Sequence, residues 1–232
     1  MIEEFACLAA AAAVFVGAHF VLSATPVRRR LIAGLGRYGF LGLYSLIAIA
    51  SLTWLVWSYR LAPYHYVWGT PEWARWLALG VLPLAFVLVL AGYLTPNPSA
   101  VMADSVLKRD NPAQGIIAIT RHPVMIGIAL WAAAHIIANG DVAGLILFGS
   151  QLILAVGGIA HLEARRAASG DGDWQRLKAR TSIVPFVAIA GGRARFAFGL
   201  ADWGFVLGGL VLYAVLLKIH GWAFGVYLIG RP

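Results

Sequence analysis

The sequence predicts an all-α membrane protein of about six transmembrane helices, with both termini external and residues 1–232 forming a single domain. Three observations carry that prediction. Hydrophobic residues make up 61% of the chain and charged residues 12%, with a mean hydropathy of +0.80, whereas roughly 25% of a soluble domain is charged. Apolar windows of about 20 residues, the length that crosses a hydrocarbon core, recur along the chain. The Lys and Arg residues between them collect in alternate connections, as they do when loops are sorted to opposite membrane faces.

The windows, in order, are Ile2–Ala24, Tyr38–Tyr59, Trp76–Leu94, Ile119–Ala138, Val142–His161 and Leu200–Leu217. The first opens with acidic Glu3 and Glu4 and carries its basic cluster after the apolar run. That is the reverse of a cleavable signal, so it reads as a retained helix. Its Ala9–Ala13 run lets a neighbour approach the backbone closely. The first connection, Thr25 to Arg30, is short and basic. The second, between Tyr59 and Trp76, holds Tyr64, Tyr66, Trp68 and Trp73, as expected of an interfacial belt. The third, from Thr95 to Pro112, is interrupted by Pro96 and Pro98 and cannot be one helix. Residues 162–195 form the largest extramembrane piece, with a turn at Ser169–Asp173, a short helix at Trp174–Ala179 and an extended exit at Ile183–Phe186.

Orientation follows from the cations. Arg28, Arg29, Arg30 and Arg37, then Lys108, Arg109 and Arg121, then Arg165, Arg166, Arg176, Lys178, Arg180, Arg193 and Arg195 fall on one side. Only Arg60, Arg75, Lys218 and Arg231 fall on the other. The richer side is cytoplasmic by the positive-inside rule, which implies a multi-pass protein of the inner (cytoplasmic) membrane. The net charge of +8 is then a topology signal and an attraction to anionic lipid headgroups, and it calls for no nucleic acid. Cys7 is the single cysteine, which leaves no intramolecular disulfide and no thiolate cluster.

Ionisable side chains at membrane depth are costly and usually have a task. His19, His122 and His161 lie near the cytoplasmic ends of their windows, and His135 and His220 toward the external ends, with His65 in an external loop. Each such histidine either hydrogen-bonds to a neighbouring helix or ligates a metal or haem. Gly127, Trp131 and His135 share one helix face at four-residue spacing, a stripe that suits either ordinary packing or the edge of a planar macrocycle. From the rise per residue, His19 lies roughly 8 Å to the cytoplasmic side of its window's centre and His135 roughly 9 Å to the external side. Like-depth pairs are His19 with His122 or His161, and His135 with His220.

The segments GAHFVLSATPVRRRL, ITRHPVMIGIALWAAAHIIANGD, HLEARR, RTSIVPFVAIAGGR and LLKIHGWAFGV, in that order, resemble the NnrU family of integral membrane proteins, which is associated with nitrite and nitric oxide reduction. The resemblance covers nearly the whole chain. The same domain occurs in zeta-carotene isomerase, a haem b enzyme that converts a cis polyene bond. The resemblance therefore implies haem b and an apolar, membrane-dissolved substrate, with His19 and His135 as axial ligands and Trp131 beside them. The isomerase has a cysteine three residues before its second ligand, where this chain has Ala132.

A second resemblance is to membrane methyltransferases of the isoprenylcysteine carboxyl type, through Arg121-His122-Pro123 with Gly127, through Glu163, Arg165 and Arg166, and through Trp174 and Val184-Pro185. It implies S-adenosylmethionine bound near Arg121, His122 and Glu163 on the cytoplasmic face. The aromatic residue expected after the proline is Met125 here, and the paired acids reduce to Glu163. Snorkelling arginines in contact with headgroups are the simpler account of those residues.

Overall fold

The computed structural model describes residues 2–98, 107–108 and 112–226. Over these residues the chain is helical: α1 (Ile2–Ser23), α2 (Thr25–Leu61), α3 (Glu72–Leu94), α4 (Ile116–Ile119), α5 (Pro123–Asn139), α6 (Val142–Ala168), α7 (Gly172–Arg180), α8 (Val187–Ala190) and α9 (Leu200–Phe224). Arg109, Arg231, Ser99 and Asn111 of the sequence reading lie outside the described residues.

The long helices pack side by side in the order α9, α3, α5, α6, α1, α2, with α2 also touching α6. Glycines set the closest approaches. A Cβ at Gly127 on α5 would lie 2.7 Å from the Ala85 carbonyl oxygen of α3, and one at Gly209 on α9 would lie 2.6 Å from Val87 Cα. Backbones this near leave room only for hydrogen there, which is how small residues hold membrane helices together. Gly127 is thus filled by α3 and leaves no gap for a macrocycle edge.

Among the described residues five helices, α1, α2, α3, α6 and α9, are long and apolar enough to cross a membrane, and α5 is a shorter apolar helix of 17 residues, about 26 Å long. The predicted window Ile119–Ala138 is therefore not one helix. Proline disfavours helical backbone at the residue before it, so His122 caps α5 from outside the helical region at φ −124° and ψ 55°. Thr120 is extended at φ −152° and ends α4. Other windows were bounded too tightly. α6 runs on from His161 to Ala168 and carries Glu163, Arg165 and Arg166 as helical residues, and α9 continues through Lys218 and His220. The first basic connection is itself helical. Thr25 starts α2 with Pro26 in its first turn, and the helix breaks at Gly36, whose φ of 71° is a backbone state glycine adopts without steric cost.

The two ends of the bundle are closed differently. At one end the aromatic loop is tied to the α5–α6 turn: Val67 N and Trp68 N donate to the Gly140 carbonyl, Val142 N donates to the His65 carbonyl, and Tyr66 bridges Asp141. Tyr64, Tyr66 and Trp73 remain exposed. The buried Asp141 caps α6 by accepting from Gly144 N at 2.8 Å. At the other end α4, α7 and α8 pack beneath α3 and α5, where Trp174 and Leu177 of α7 are wholly buried beside Ile116, Ile117 and Leu88.

Candidate functional site

Two groups of polar side chains stand out, one at each end of the bundle. The first is a corner built where α4 gives way to α5. The extended stretch after α4 pairs with the segment after α7: Arg121 N donates to the Ser182 carbonyl at 3.0 Å and Phe186 N to the Ile119 carbonyl at 2.9 Å. The Thr120 hydroxyl donates to the Ile183 carbonyl at 2.7 Å. Those bonds aim Arg121 and His122 at the overhanging turn of α6. There one oxygen of Glu163, Oε1, accepts from Arg121 Nε at 2.6 Å and from His122 Nε2 at 2.8 Å. Lys178 Nζ stands 3.9 Å from the other oxygen. Arg121 also reaches the Thr181 carbonyl at 3.4 Å, and the Trp174 ring lies 6.1 Å from that of His122.

Arg121 and His122 are buried to within a few per cent of complete, so charge there is tolerable only when paired. Burial holds the His122 pKa below its ordinary value, against the upward pull of its hydrogen bond and charge interaction with Glu163, while Arg121 adds to the lowering. His122 is therefore a neutral ring at neutral pH that donates from Nε2 to the carboxylate. The structure brings together Arg121, His122 and Glu163, as the sequence placed them. It adds Thr120, Thr181 and Lys178, which sequence reasoning missed, and seats Trp174 of the second resemblance beside them. The one local signal was Trp174 and Leu177 at three-residue spacing in the otherwise polar α7, which marks a buried face.

The second group surrounds His135 in the half of the bundle near the aromatic loop. His135 Nδ1 donates to the Trp131 carbonyl at 2.8 Å, because a carbonyl can only accept. Its ring stacks on Phe148 of α6 at 4.7 Å and lies 4.9 Å from the Trp131 ring. The Trp131 ring in turn meets Phe148 edge-on at 5.0 Å. His19 is held alike, with Nδ1 donating to the Phe15 carbonyl at 2.6 Å and its ring edge-on to Tyr44 of α2 at 5.5 Å. In both rings the backbone bond fixes the proton on Nδ1 and leaves the Nε2 lone pair for a ligand, the arrangement usual in metal-bound histidines. Phe148 and Tyr44, the ring partners, carried no sequence signal.

His19 on α1 faces Tyr44 of α2 and His135 on α5 faces Phe148 of α6, and each imidazole leaves Nε2 for a ligand. His161 bonds through Nε2 to the Ser23 carbonyl at 3.2 Å, and His65 pairs with Glu4 at 3.1 Å. No cluster of three or more His, Cys, Asp or Glu residues suited to a metal ion occurs among the described residues.

The chain is similar to known proteins. It is 31% identical over 134 residues to the chloroplastic 15-cis-zeta-carotene isomerase of Arabidopsis thaliana, covering 54% of this chain and 35% of that protein. It is 30% identical over 136 residues to the chloroplastic 15-cis-zeta-carotene isomerase of Zea mays, covering 55% of this chain and 36% of that one. The alignments thus span about a third of those relatives' length. No solved structure matches the chain. The family model described as NnrU protein matches residues 7–228, nearly the whole length, and the chain belongs to the NnrU family.

Proposed function

We propose that this protein acts on an elongated apolar molecule dissolved in the bilayer, a polyene of the carotenoid kind, and that the change it brings about is an isomerisation. The observation that supports this most is the likeness to the two carotene isomerases over more than half of the chain. The His135 cluster suits such a substrate. Trp131, Phe148 and a half-buried imidazole form an aromatic wall within the apolar half of the bundle, where a planar conjugated chain finds stacking partners. In this reading the basic end faces the cytoplasm and the bilayer is that of the inner membrane. Haem b belongs to the proposal as a group that His19 and His135 would hold, each with Nδ1 bonded to the backbone and Nε2 left over.

The test is to incubate the purified full chain in vesicles with a cis polyene and separate the isomers chromatographically, alongside a visible spectrum of the protein. Isomer conversion that falls with His135→Ala is the expected result. A polyene left unchanged by haem-replete protein under both oxidising and reducing conditions would sink the reading.

One observation favours a second reading, a membrane methyltransferase that takes S-adenosylmethionine: Arg121, His122 and Glu163 do meet at one corner. In its present state Glu163 is engaged by protein cations, so the ligand would have to displace them. Calorimetry with S-adenosylmethionine on the wild type and on Glu163→Gln decides it. Micromolar binding lost in the variant would move the assignment to this reading.

A further inference from the structure

On the same end as the Glu163 corner, but separate from it, lies an open cleft of about 310 Å³. Gln114, ahead of α4, forms one wall. Arg180, the last residue of α7, and Arg193 and Arg195, between α8 and α9, form the others, and the remaining lining is alanine. We propose that this cleft binds the phosphate of an anionic lipid headgroup.

Three features of the cleft carry the proposal. Among the described residues, three guanidinium groups and no carboxylate line it. Arg193 is fixed in place by donating to the Thr181 carbonyl at 3.1 Å and the Ala179 carbonyl at 3.3 Å, bonds that hold the group without neutralising it. Arg180 and Arg195 have neither an ion pair nor a hydrogen bond among the described residues. Such a set of planar forks suits the oxygens of a phosphate. Asp202, the acid nearest in sequence, accepts from Gly199 N at 2.8 Å through Oδ2, while its Oδ1 lies against Gly115 beside Gln114.

Position chooses the source of the phosphate. Leu200, 92% exposed, and Phe196, 50% exposed, stand just beyond the arginines, and Leu200 opens a 25-residue apolar helix able to cross a membrane. The cleft therefore sits at the lip of the bilayer, where a headgroup reaches the arginines and its acyl chains run along α9. A basic residue beside an anionic membrane surface contributes about 1 kcal/mol.

The experiment uses the purified full chain in mild detergent and follows thermal unfolding with added lipid. Dioleoylphosphatidylglycerol should raise the midpoint, and dioleoylphosphatidylcholine and millimolar inorganic phosphate should not. The double variant Arg180→Ala/Arg195→Ala should unfold at the wild-type temperature without lipid and need roughly thirtyfold more phosphatidylglycerol for the same protection. Arg29→Ala/Arg30→Ala, which removes two exposed cations elsewhere on that end, should respond as the wild type does. Equal loss in both double variants would overturn the proposal in favour of diffuse surface charge. Protection by inorganic phosphate equal to that by the lipid would overturn the lipid assignment, and protection by phosphatidylcholine equal to that by phosphatidylglycerol would overturn the anionic preference.

Discussion

The Glu163 corner and the His135 cluster hold their polar atoms in opposite ways. At the corner, Glu163 Oε1 is shared by Arg121 and His122, with Lys178 near the second oxygen. Bonds from the Thr120 hydroxyl and the Arg121 amide lock the flanking stretches of chain together. In the His135 cluster one nitrogen is committed to the backbone and the other is left to whatever enters. A site whose charges are already satisfied is built to hold the fold, because each unpaired buried charge would be expensive. A site that keeps a donor atom uncommitted is built to meet a ligand. On the proposed function, the difference puts stability at the basic end and chemistry in the other half, and it can be broken by substitution.

The largest effect should come from Glu163→Ala. It leaves Arg121 and His122 buried without their shared acceptor, and breaking a buried pair from one side costs about 3 kcal/mol or more. Thermal unfolding in detergent should show a midpoint many degrees lower. The double variant Arg121→Met/Glu163→Leu, which removes the charges together, should recover much of the loss. An unaltered midpoint for Glu163→Ala would show that water already screens the corner.

The same comparison predicts a smaller cost at the other end. His135→Ala removes a ring stacked on Phe148 and packed by Trp131, worth about 1 kcal/mol as an aromatic pair, and strands no charge. Stability should therefore fall by about a third as much as in Glu163→Ala, while any ligand-dependent property of the cluster is lost. A destabilisation as large as that of Glu163→Ala would make His135 a structural residue and erase the contrast.

How much of this was legible in the sequence depends on the range of the interaction responsible. The all-helical membrane character and the α1 and α3 spans follow from composition, which is local. The overhang of α6 beyond His161 was missed because a hydropathy window stops at the first charges, whereas a helix stops only where something ends it, here Ser169 and Gly170. The break before α5 was legible in Pro123, but the surrounding apolar run concealed it. The partners that make the sites were not legible. Phe148 on His135, Tyr44 on His19 and the pairing of residues 119–121 with 182–186 are contacts between distant segments that no spacing encodes.

The smallest effect is a pH dependence confined to the corner, vanishing at neutral pH and growing with acid. Burial holds His122 below its ordinary pKa of 6.5 in the folded protein, so the unfolded chain takes up that proton first. The stability tied to the neutral ring is complete above about pH 6.5 and is lost as the pH falls through the folded pKa, because the unfolded state then binds more protons. Replacing His122 with Gln keeps an N–H donor for Glu163 and removes the titration. Unfolding midpoints between pH 7.5 and 5 should decline in the wild type with a slope that is partly abolished in His122→Gln, and the two proteins should be closest at the acid end. Parallel slopes across the whole range would mean that His122 does not change protonation on folding. The corner would then owe its stability to the Arg121–Glu163 pair alone.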